Sequence, residues 1–273
     1  MTEQENATTN QGQDLQRDVV SETIIEGLPD PSRKTEQEEI LETRETISRK
    51  ILKGGSNEPI FIELRDDGSA VFKSKENEVA LGRKVEKGTY YKREKAGYLV
   101  DRTIDFSLVP PTVIREVDGE TGSAQEFIPD TNTIYNIKEA DQEQYRDELI
   151  RLAMLDYIIF NSDRNKDNFL CKKGKIYAID NGCTFENDYA NFYCKPPMRI
   201  NNVVPRDALE KLARFIGDET AQMNLRQALT GLISEREIQF CIQRAKLLLK
   251  TIIESNGEFN IAKINDLPYE GVE

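Results

Sequence analysis

The feature that most limits how this chain can fold is an apolar run that passes into a polar loop and then into a predicted hairpin. The run and loop read LDYIIFNSDRNKDNFL (residues 155–170), and the hairpin ends in KIYAIDNG (175–182). Apolar residues on either side of a Lys-Lys-Gly turn are typical of two paired strands. We therefore expect the hairpin to bring Asn168, which closes the loop, beside Asp180, with Asp163 at the start of the loop.

The residue types at these positions suit phosphoryl transfer. A carboxylate and an amide oxygen, here from Asp180 and Asn168, can bind Mg²⁺ together with nucleotide phosphates. Asp163 is then available to orient an attacking hydroxyl group. A lone Asp-x4-Asn motif usually caps a helix or a turn, so this interpretation depends on partners elsewhere in the chain.

Two charged residues near Asp163 have more than one interpretation. Arg164 either contacts a phosphate or forms an internal salt bridge. Asp156, on the helix before the loop, either orients Arg164 and the loop backbone or is an ordinary carboxylate on the helix surface.

Composition excludes several classes of protein. The chain has 273 residues, of which 38% are hydrophobic, enough for a sizeable core. Its formal net charge of −12 disfavours partners such as nucleic acid and anionic membranes. Because the chain has no histidine and its cysteines lie far apart, the sequence suggests neither a zinc site nor a disulfide framework.

The sequence also shows no sign of membrane insertion or export. No apolar run approaches the roughly 20 residues of a membrane helix, and the first residues lack the basic and apolar regions of a signal peptide. Reduced cysteines fit a cytosolic environment. We therefore expect no transmembrane segment and a cytoplasmic location, with secretion into a host cytosol as an effector as the alternative.

The N-terminal half contains the partners that the predicted site needs. A predicted hairpin over residues 59–73 ends at Lys73, whose ammonium group can reach the α- and β-phosphates of a nucleotide. Glu94 lies on the next predicted helix, at a spacing suited to pairing with Lys73. Gly54 and Gly55 allow backbone amides to approach phosphates, although a plain turn is the other interpretation.

The remaining pattern divides the chain into three parts. Residues 1–35 are rich in Glu, Gln, Asn, Thr and Asp and predict a disordered acidic tail. Residues 36–128 form a predicted N-lobe that begins with one helix over 36–52 and is otherwise mainly strand. Residues 129–273 form a predicted helical C-lobe.

A short predicted strand is expected to connect the two lobes. The backbone of Glu126, Phe127 and Ile128 at its end provides a hydrogen-bonding edge for adenine. A mainly β N-lobe holding a helix, followed by a compact helical C-lobe, is the order of the protein-kinase-like fold. The predicted fold class is therefore α+β, as a two-lobed protein-kinase-like fold.

The motifs also carry a family resemblance. LDYIIFNSDRNKDNFL with AIDNG resembles the catalytic core of the phosphatidylinositol 3- and 4-kinase-related family, especially type II phosphatidylinositol 4-kinases. The upstream segments FKS (72–74), EKAGY (94–98), LVPPTVIRE (108–116) and GSAQEFI (122–128) are similar to bacterial kinase-like proteins and distantly to HipA-type toxin kinases.

The resemblance implies ATP as the phosphoryl donor and Mg²⁺ as the metal, with Mn²⁺ as the second candidate. It implies that Lys73 binds phosphate and Glu94 holds Lys73, and that Asp163 is the catalytic aspartate. Asn168 and Asp180 would be the metal ligands.

Two departures from the family bear on the substrate. Asn165 stands where relatives often have histidine, which leaves the core motif intact. The sequence lacks the cysteine-rich lipidation segment of type II lipid kinases, which weakens the case for a lipid substrate. We therefore predict a kinase acting on Ser or Thr of a protein. A phosphoinositide kinase is the alternative. Two further alternatives are a pseudokinase or nucleotide-binding scaffold, which would not catalyse transfer, and an enzyme that transfers AMP instead of phosphate.

Overall fold

A five-stranded antiparallel sheet forms the first half of the fold. The computed structural model describes residues 27–52, 58–80, 85–185 and 201–260. The strands are β1 (Thr46–Ile51), β2 (Ile60–Leu64), β3 (Gly68–Ser74), β4 (Thr112–Val117) and β5 (Glu120–Glu126). They lie in the order β1-β2-β3-β5-β4, and all neighbouring pairs are antiparallel.

Helices dominate the second half. The helices are α1 (Glu36–Thr43), α2 (Tyr90–Ile104), α3 (Glu139–Gln142), α4 (Arg146–Ile158), α5 (Arg206–Gly217), α6 (Glu219–Leu229) and α7 (Glu235–Glu254). Two small antiparallel pairs accompany them, β6 (Phe169–Lys172) with β7 (Lys175–Ala178) and β8 (Asn201–Val203) with β9 (Glu258–Asn260). The predicted α+β arrangement is confirmed. None of the helices described is both long and apolar enough to cross a membrane.

Residue alternation along β3 sets the two faces of the sheet. Ala70 and Phe72 are buried in a hydrophobic cluster of the sheet and α1, which we call the sheet cluster. Val71 and Lys73 lie on the opposite face and are half-buried. Because successive side chains of a strand point to opposite faces, Lys73 projects away from the sheet cluster.

The prediction of one helix over residues 36–52 is wrong beyond α1. The helix begins with a capping box, in which Thr35 and Glu38 exchange hydrogen bonds, and it ends after two turns. The chain then forms β1 and pairs with β2. Ile47 and Ile51 lie four residues apart, a spacing that also fits a helix face, but they are 57% and 65% exposed on this edge strand.

Residues 28–33, which the sequence assigns to the disordered tail, pack against the rest of the protein. Pro31 is buried, and Leu28 packs against a hydrophobic cluster that extends into the helical half. Arg102 of α2 donates hydrogen bonds to the carbonyl oxygens of Asp30 (3.2 Å) and Arg33 (2.5 Å). Residues 1–26 of the predicted tail lie outside the described residues.

Helix α2 belongs to the core of the helical half. Ala96, Leu99, Val100 and Ile104 are buried in one cluster with residues of α4 and α7, which we call the helical cluster. The predicted boundary at residue 128 places α2 in the N-lobe. The helix packs against both halves of the fold, because it also contacts β4 and β5 of the sheet.

Asp101 is a buried carboxyl group that fixes the end of α2 to the loop before β4. Its Oδ2 accepts hydrogen bonds from the amides of Leu108 (2.9 Å) and Val109 (2.8 Å). Its Oδ1 has no hydrogen-bond partner in the part of the chain that the structure describes. Burial raises the pKa of Asp101 to about 7, against hydrogen bonds from the two amides that lower it.

This pKa predicts a pH dependence of stability. From pH ~4 to ~7 the folded chain retains a proton on Asp101 that the unfolded chain has released, so stability falls as pH rises through this window. Asp101→Asn cannot ionise and keeps an acceptor for both amides. We expect the variant to exceed wild type in unfolding free energy at pH 8, by up to about 4 kcal/mol. Urea unfolding at pH 4.5 and pH 8 measures the difference, and an equal difference at both pH values would contradict the prediction.

Candidate active site

Three charged side chains from separate elements meet on the face of β3 that points away from the sheet cluster. Lys73 Nζ lies 2.5 Å from Glu94 Oε1 on α2 and 2.8 Å from Asp180 Oδ1, just after β7. Glu94 is almost fully buried, whereas Asp180 is partly exposed. The structure therefore brings these three predicted site residues into direct contact.

The two carboxylates keep Lys73 charged. Burial by itself would lower the pKa of the Lys73 ammonium group. The negative charges of Asp180 and Glu94 outweigh this effect and raise the pKa above its usual value of 10.5. The site thus holds a fixed positive charge that can bind an anion such as a phosphate.

The second oxygen of Glu94 holds the backbone beside Asp180. The amide of Asn181 donates to Glu94 Oε2 at 2.8 Å. Asp180 itself adopts a φ of 58°, in the left-handed region that Asp enters more readily than most non-glycine residues. Here, hydrogen bonds on both sides hold the Asp180 backbone in this conformation.

Two glycines allow α2 to approach this segment closely. A Cβ atom on Gly97 would lie 3.2 Å from the Cβ of Asn181, and one on Gly182 would lie 3.1 Å from the Cβ of Tyr90. Both distances are shorter than ordinary carbon contacts. Gly182 therefore serves close packing of the backbone against α2.

The loop that carries Asp163 is fixed by its own polar residues. The amide of Asp163 donates to Asn161 Oδ1 (2.9 Å), and Asn168 Nδ2 donates to the carbonyl oxygen of Asp163 (2.9 Å). The loop therefore forms a closed turn between Asn161 and Asn168. Asp163 lies at its start and is partly exposed.

Arg164 forms the internal salt bridge and is buried. Its guanidinium group donates to both carboxylate oxygens of Asp156 at 3.0–3.1 Å. It also donates to Asn181 Oδ1 (2.6 Å) and to the carbonyl oxygens of Asn168 and Ile179. Asp156 thus orients Arg164, which joins α4, the polar loop and the segment after β7.

The predicted metal ligands lie side by side at the end of the β6–β7 hairpin. The amide of Ile179 donates to the carbonyl oxygen of Asn168 (3.1 Å), which places Asn168 next to Asp180. The hydrogen bond from Asn168 Nδ2 to the carbonyl oxygen of Asp163 fixes the orientation of this amide group, whose Oδ1 is the atom that could bind a cation. Among the residues described, no group of three or more acidic or cysteine side chains forms a metal cage. A carboxylate with an amide oxygen fits Mg²⁺ that also binds phosphates, because Mg²⁺ keeps much of its coordination for phosphates and water.

The predicted adenine-binding edge is only partly available. The amides of Glu126 and Phe127 already donate to carbonyl oxygens next to β4 and in β3, at 2.8 and 3.1 Å. Within the described residues, no hydrogen bond is formed by the amide of Ile128. Gly54 and Gly55, the predicted phosphate turn, lie outside the described residues.

Comparison with known proteins assigns the family. A family model described as phosphatidylinositol 3- and 4-kinase matches residues 79–233, more than half of the chain. The chain belongs to this family. The matched region of this phosphatidylinositol 3- and 4-kinase family member contains four of the predicted site residues, Glu94, Asp163, Asn168 and Asp180. Lys73 lies before the matched region. No curated protein matches the sequence.

Solved structures show that this family member has a protein-kinase-like fold. Hydra Fam20 with sugar is 15% identical, with a TM-score of 0.59 over 90% of this chain and 95% of that one. The Golgi casein kinase with Mn/ADP bound is 18% identical, with a TM-score of 0.55 over 78% and 74% of the two chains. The Helicobacter pylori proinflammatory kinase CtkA is 11% identical, with a TM-score of 0.50 over 80% and 97%.

Two contacts that position α2 in this family member were not predicted from the sequence. Glu78 is buried and caps the start of α2, accepting hydrogen bonds from the amides of Gly88 and Tyr91. Arg93 donates to Glu237 of α7 at 2.7 Å and to the carbonyl oxygen of Thr184 at 2.5 Å. Glu78 lies 12 residues before the start of α2, outside the positions at which a capping residue leaves a local sequence signal. The Arg93–Glu237 pair spans too much sequence to leave a local pattern.

The buried Asp156–Arg164 pair predicts a large loss of stability in Asp156→Ala. Removal of the carboxylate leaves the guanidinium group of Arg164 buried without its charge partner, which costs about 3–5 kcal/mol. Asp207→Ala is the comparison: it removes the ion pair between the exposed Asp207 of α5 and Arg151 of α4, and it should lower the unfolding free energy by at most about 1 kcal/mol. Chemical denaturation of both variants measures the difference. Equal losses would show that the buried pair has no special role.

Proposed function

We propose that this chain transfers the γ-phosphoryl group of ATP to a hydroxyl group. The observation that carries the proposal is the contact of Lys73 with both Glu94 and Asp180, which assembles β3, α2 and the end of the β6–β7 hairpin into one charged site. Membership of a kinase family supports the same reaction.

The proposed donor site uses fixed charge and backbone groups. Lys73 binds the α- and β-phosphates, and Glu94 holds it in place. The segment Glu126–Phe127–Ile128 forms the adenine edge, with the amide of Ile128 as the available donor. The turn at Gly54 and Gly55 is the proposed place where backbone amides approach the phosphates. Preorganised charges of this kind stabilise a transition state without rearranging during the reaction.

Asn168 and Asp180 are the proposed ligands of Mg²⁺, with Mn²⁺ as the second candidate. A bound divalent cation would neutralise charge on the phosphate oxygens as the reaction proceeds. The residues fit this group because they present one amide oxygen and one carboxylate at the end of the same hairpin.

Asp163 is the proposed catalytic aspartate. It orients the acceptor hydroxyl group and accepts its proton as the hydroxyl oxygen bonds to the γ-phosphorus. The bond from that phosphorus to the bridging oxygen breaks, and ADP leaves. The hydrogen bonds of Asn161 and Asn168 to the backbone of Asp163 hold the residue ready for this role.

Serine or threonine of a protein is the proposed acceptor. The net charge of −12 opposes close approach to an anionic lipid surface. One protein of similar fold is described as a Golgi casein kinase, which is consistent with a protein substrate. Free, buried cysteines at 171, 183 and 241 fit the proposed cytoplasmic location, in the producing cell or in a host.

A phosphoinositide headgroup is the second candidate acceptor. The description of the matched family, phosphatidylinositol 3- and 4-kinase, favours it. The two acceptors differ in where a transferred phosphate is recovered, so one reaction mixture can distinguish them.

Asp163→Asn tests the proposed transfer. Purified protein receives Mg-ATP labelled at the γ-phosphate, together with cell extract and phosphoinositide vesicles. We expect label on protein, and a fall in rate of ~10²–10⁴-fold in Asp163→Asn because the proton acceptor is lost. Asp167→Asn changes an exposed carboxylate of the same loop and is the matched control.

Each outcome of this experiment has a defined meaning. Label in the lipid phase would identify the phosphoinositide reaction. In a parallel reaction with ATP labelled at the α-phosphate, transfer of label that γ-labelled ATP does not give would identify AMP transfer. Absence of any transfer by the wild-type protein would contradict the proposed function.

Asp180→Ala tests the proposed metal site. The change removes one metal ligand and one partner of Lys73 but leaves Glu94 in place. We expect transfer to fall by ~10²–10³-fold, because charge stabilisation at the phosphates is lost, while circular dichroism shows an unchanged fold. Turnover retained at the wild-type level would rule out Asp180 as a ligand.

A further inference from the structure

Helix α1 carries a buried carboxylate that holds two cations of α2. Glu38 is 2% exposed. Its Oε1 accepts a hydrogen bond from Lys95 Nζ (2.8 Å), and its Oε2 accepts one from Arg102 Nη1 (2.7 Å). Lys95 and Arg102 are seven residues apart on α2 and therefore lie on the same face, two turns apart. One carboxylate thus fixes α2 at two points along its length.

Helix α1 is itself fixed to the sheet. Leu41 is fully buried in the sheet cluster. Arg115 of β4 donates to the carbonyl oxygens of Leu41 (2.7 Å) and Arg44 (2.9 Å) at the end of α1. The link from Glu38 to α2 is therefore a link from the sheet to α2, and Lys73 is part of that same sheet.

The ion pairs of Glu38 are fully formed at neutral pH. Burial alone would raise the pKa of Glu38, but Lys95 and Arg102 outweigh this effect and the pKa is lowered. Two further donors, the amide and hydroxyl of Thr35, bind Oε2 at 3.0 and 3.2 Å. Both oxygens of Glu38 are therefore used.

Glu94 precedes Lys95 directly in the sequence and points to the site. Its carboxylate depends on the position of α2 to reach Lys73 on β3 and the amide of Asn181. A shift of α2 away from the sheet would separate Glu94 from Lys73. Contacts on the far side of α2, from Arg93 to Glu237, hold it to the helical half but not to the sheet.

We propose that Glu38 is a positioning residue for the active site: it couples the sheet to α2 through Lys95 and Arg102 and so keeps Glu94 in contact with Lys73. The proposal rests on the proposed kinase function for its effect on turnover. Its structural part, the coupling of α1 to α2, does not depend on that function. The chain thereby supplies from its own N-terminal segment a contact that holds α2 in the site.

Glu38→Gln tests the proposal, with Glu36→Gln as the matched control. Glu36 lies in the first turn of the same helix, is exposed and loses the same charge. Amide hydrogen exchange is followed in α2 and in α7, and phosphate transfer is followed as a function of Mg-ATP concentration. We expect faster exchange in α2 but not α7, and kcat/KM for ATP lower by about tenfold, within the range typical of coupling between sites. The control should match the wild type in both.

Several outcomes would decide against Glu38. Unchanged exchange in α2 of Glu38→Gln would overturn the proposal, as would a lower kcat/KM that Glu36→Gln reproduces. If the wild-type protein transfers no phosphate, the proposed function fails and the exchange measurement alone decides the coupling.

A second variant keeps the test decisive if Glu38→Gln loosens the whole fold. Lys95→Gln leaves the Glu38–Arg102 pair in place and should raise exchange in α2 to a smaller extent. Exchange that rises equally in α2 and α7 of this variant would assign Glu38 a purely structural role and overturn the proposal.

Discussion

An ammonium group that is largely removed from water is stabilised by nearby negative charge, and the half-buried position of Lys73 imposes this condition on the elements around it. The lysine extends from the sheet, whereas its two carboxylates come from α2 and from the segment after β7. Each of these elements must be held to within a fraction of an ångström for the contacts to form. Much of the polar structure described above serves that requirement.

The supporting contacts act on the two carboxylates by different means. Glu94 is positioned through its helix, which is capped by Glu78, packed into the helical cluster and paired through Arg93 with α7. Asp180 is positioned through its backbone, because Arg164 and Glu94 bind the residues on either side of it. Charge placement therefore depends on packing in one case and on backbone hydrogen bonds in the other.

The sequence predicted those parts of the fold whose cause is local. The hairpin predicted over residues 59–73 corresponds to β2 and β3. The polar loop between an apolar run and a hairpin indicated that Asp163, Asn168 and Asp180 lie close together. The error over residues 36–52 has a physical reason: isoleucines at helical spacing also fit a strand, and pairing with β2 decided the outcome.

Contacts across long stretches of sequence could not be predicted from local patterns. The interactions of Glu38 with Lys95 and Arg102, and of Arg93 with Glu237, leave no periodic signal because each partner alone resembles an ordinary surface charge. They become visible only when burial is known. The same holds for Arg164, whose choice between a phosphate and Asp156 depends on the depth at which α4 is buried.

The two carboxylates reach Lys73 from elements with different attachments. Helix α2 packs in the helical cluster and is also joined to α1 through Glu38, whereas the β6–β7 hairpin that precedes Asp180 packs in the helical cluster. Any movement of the sheet relative to the helical half would therefore act more on the contact of Lys73 with Asp180 than on its contact with Glu94. A phosphate at Lys73 would compete with Asp180 for the same ammonium group, so the electrostatic resistance to that movement would differ between the empty and the loaded protein.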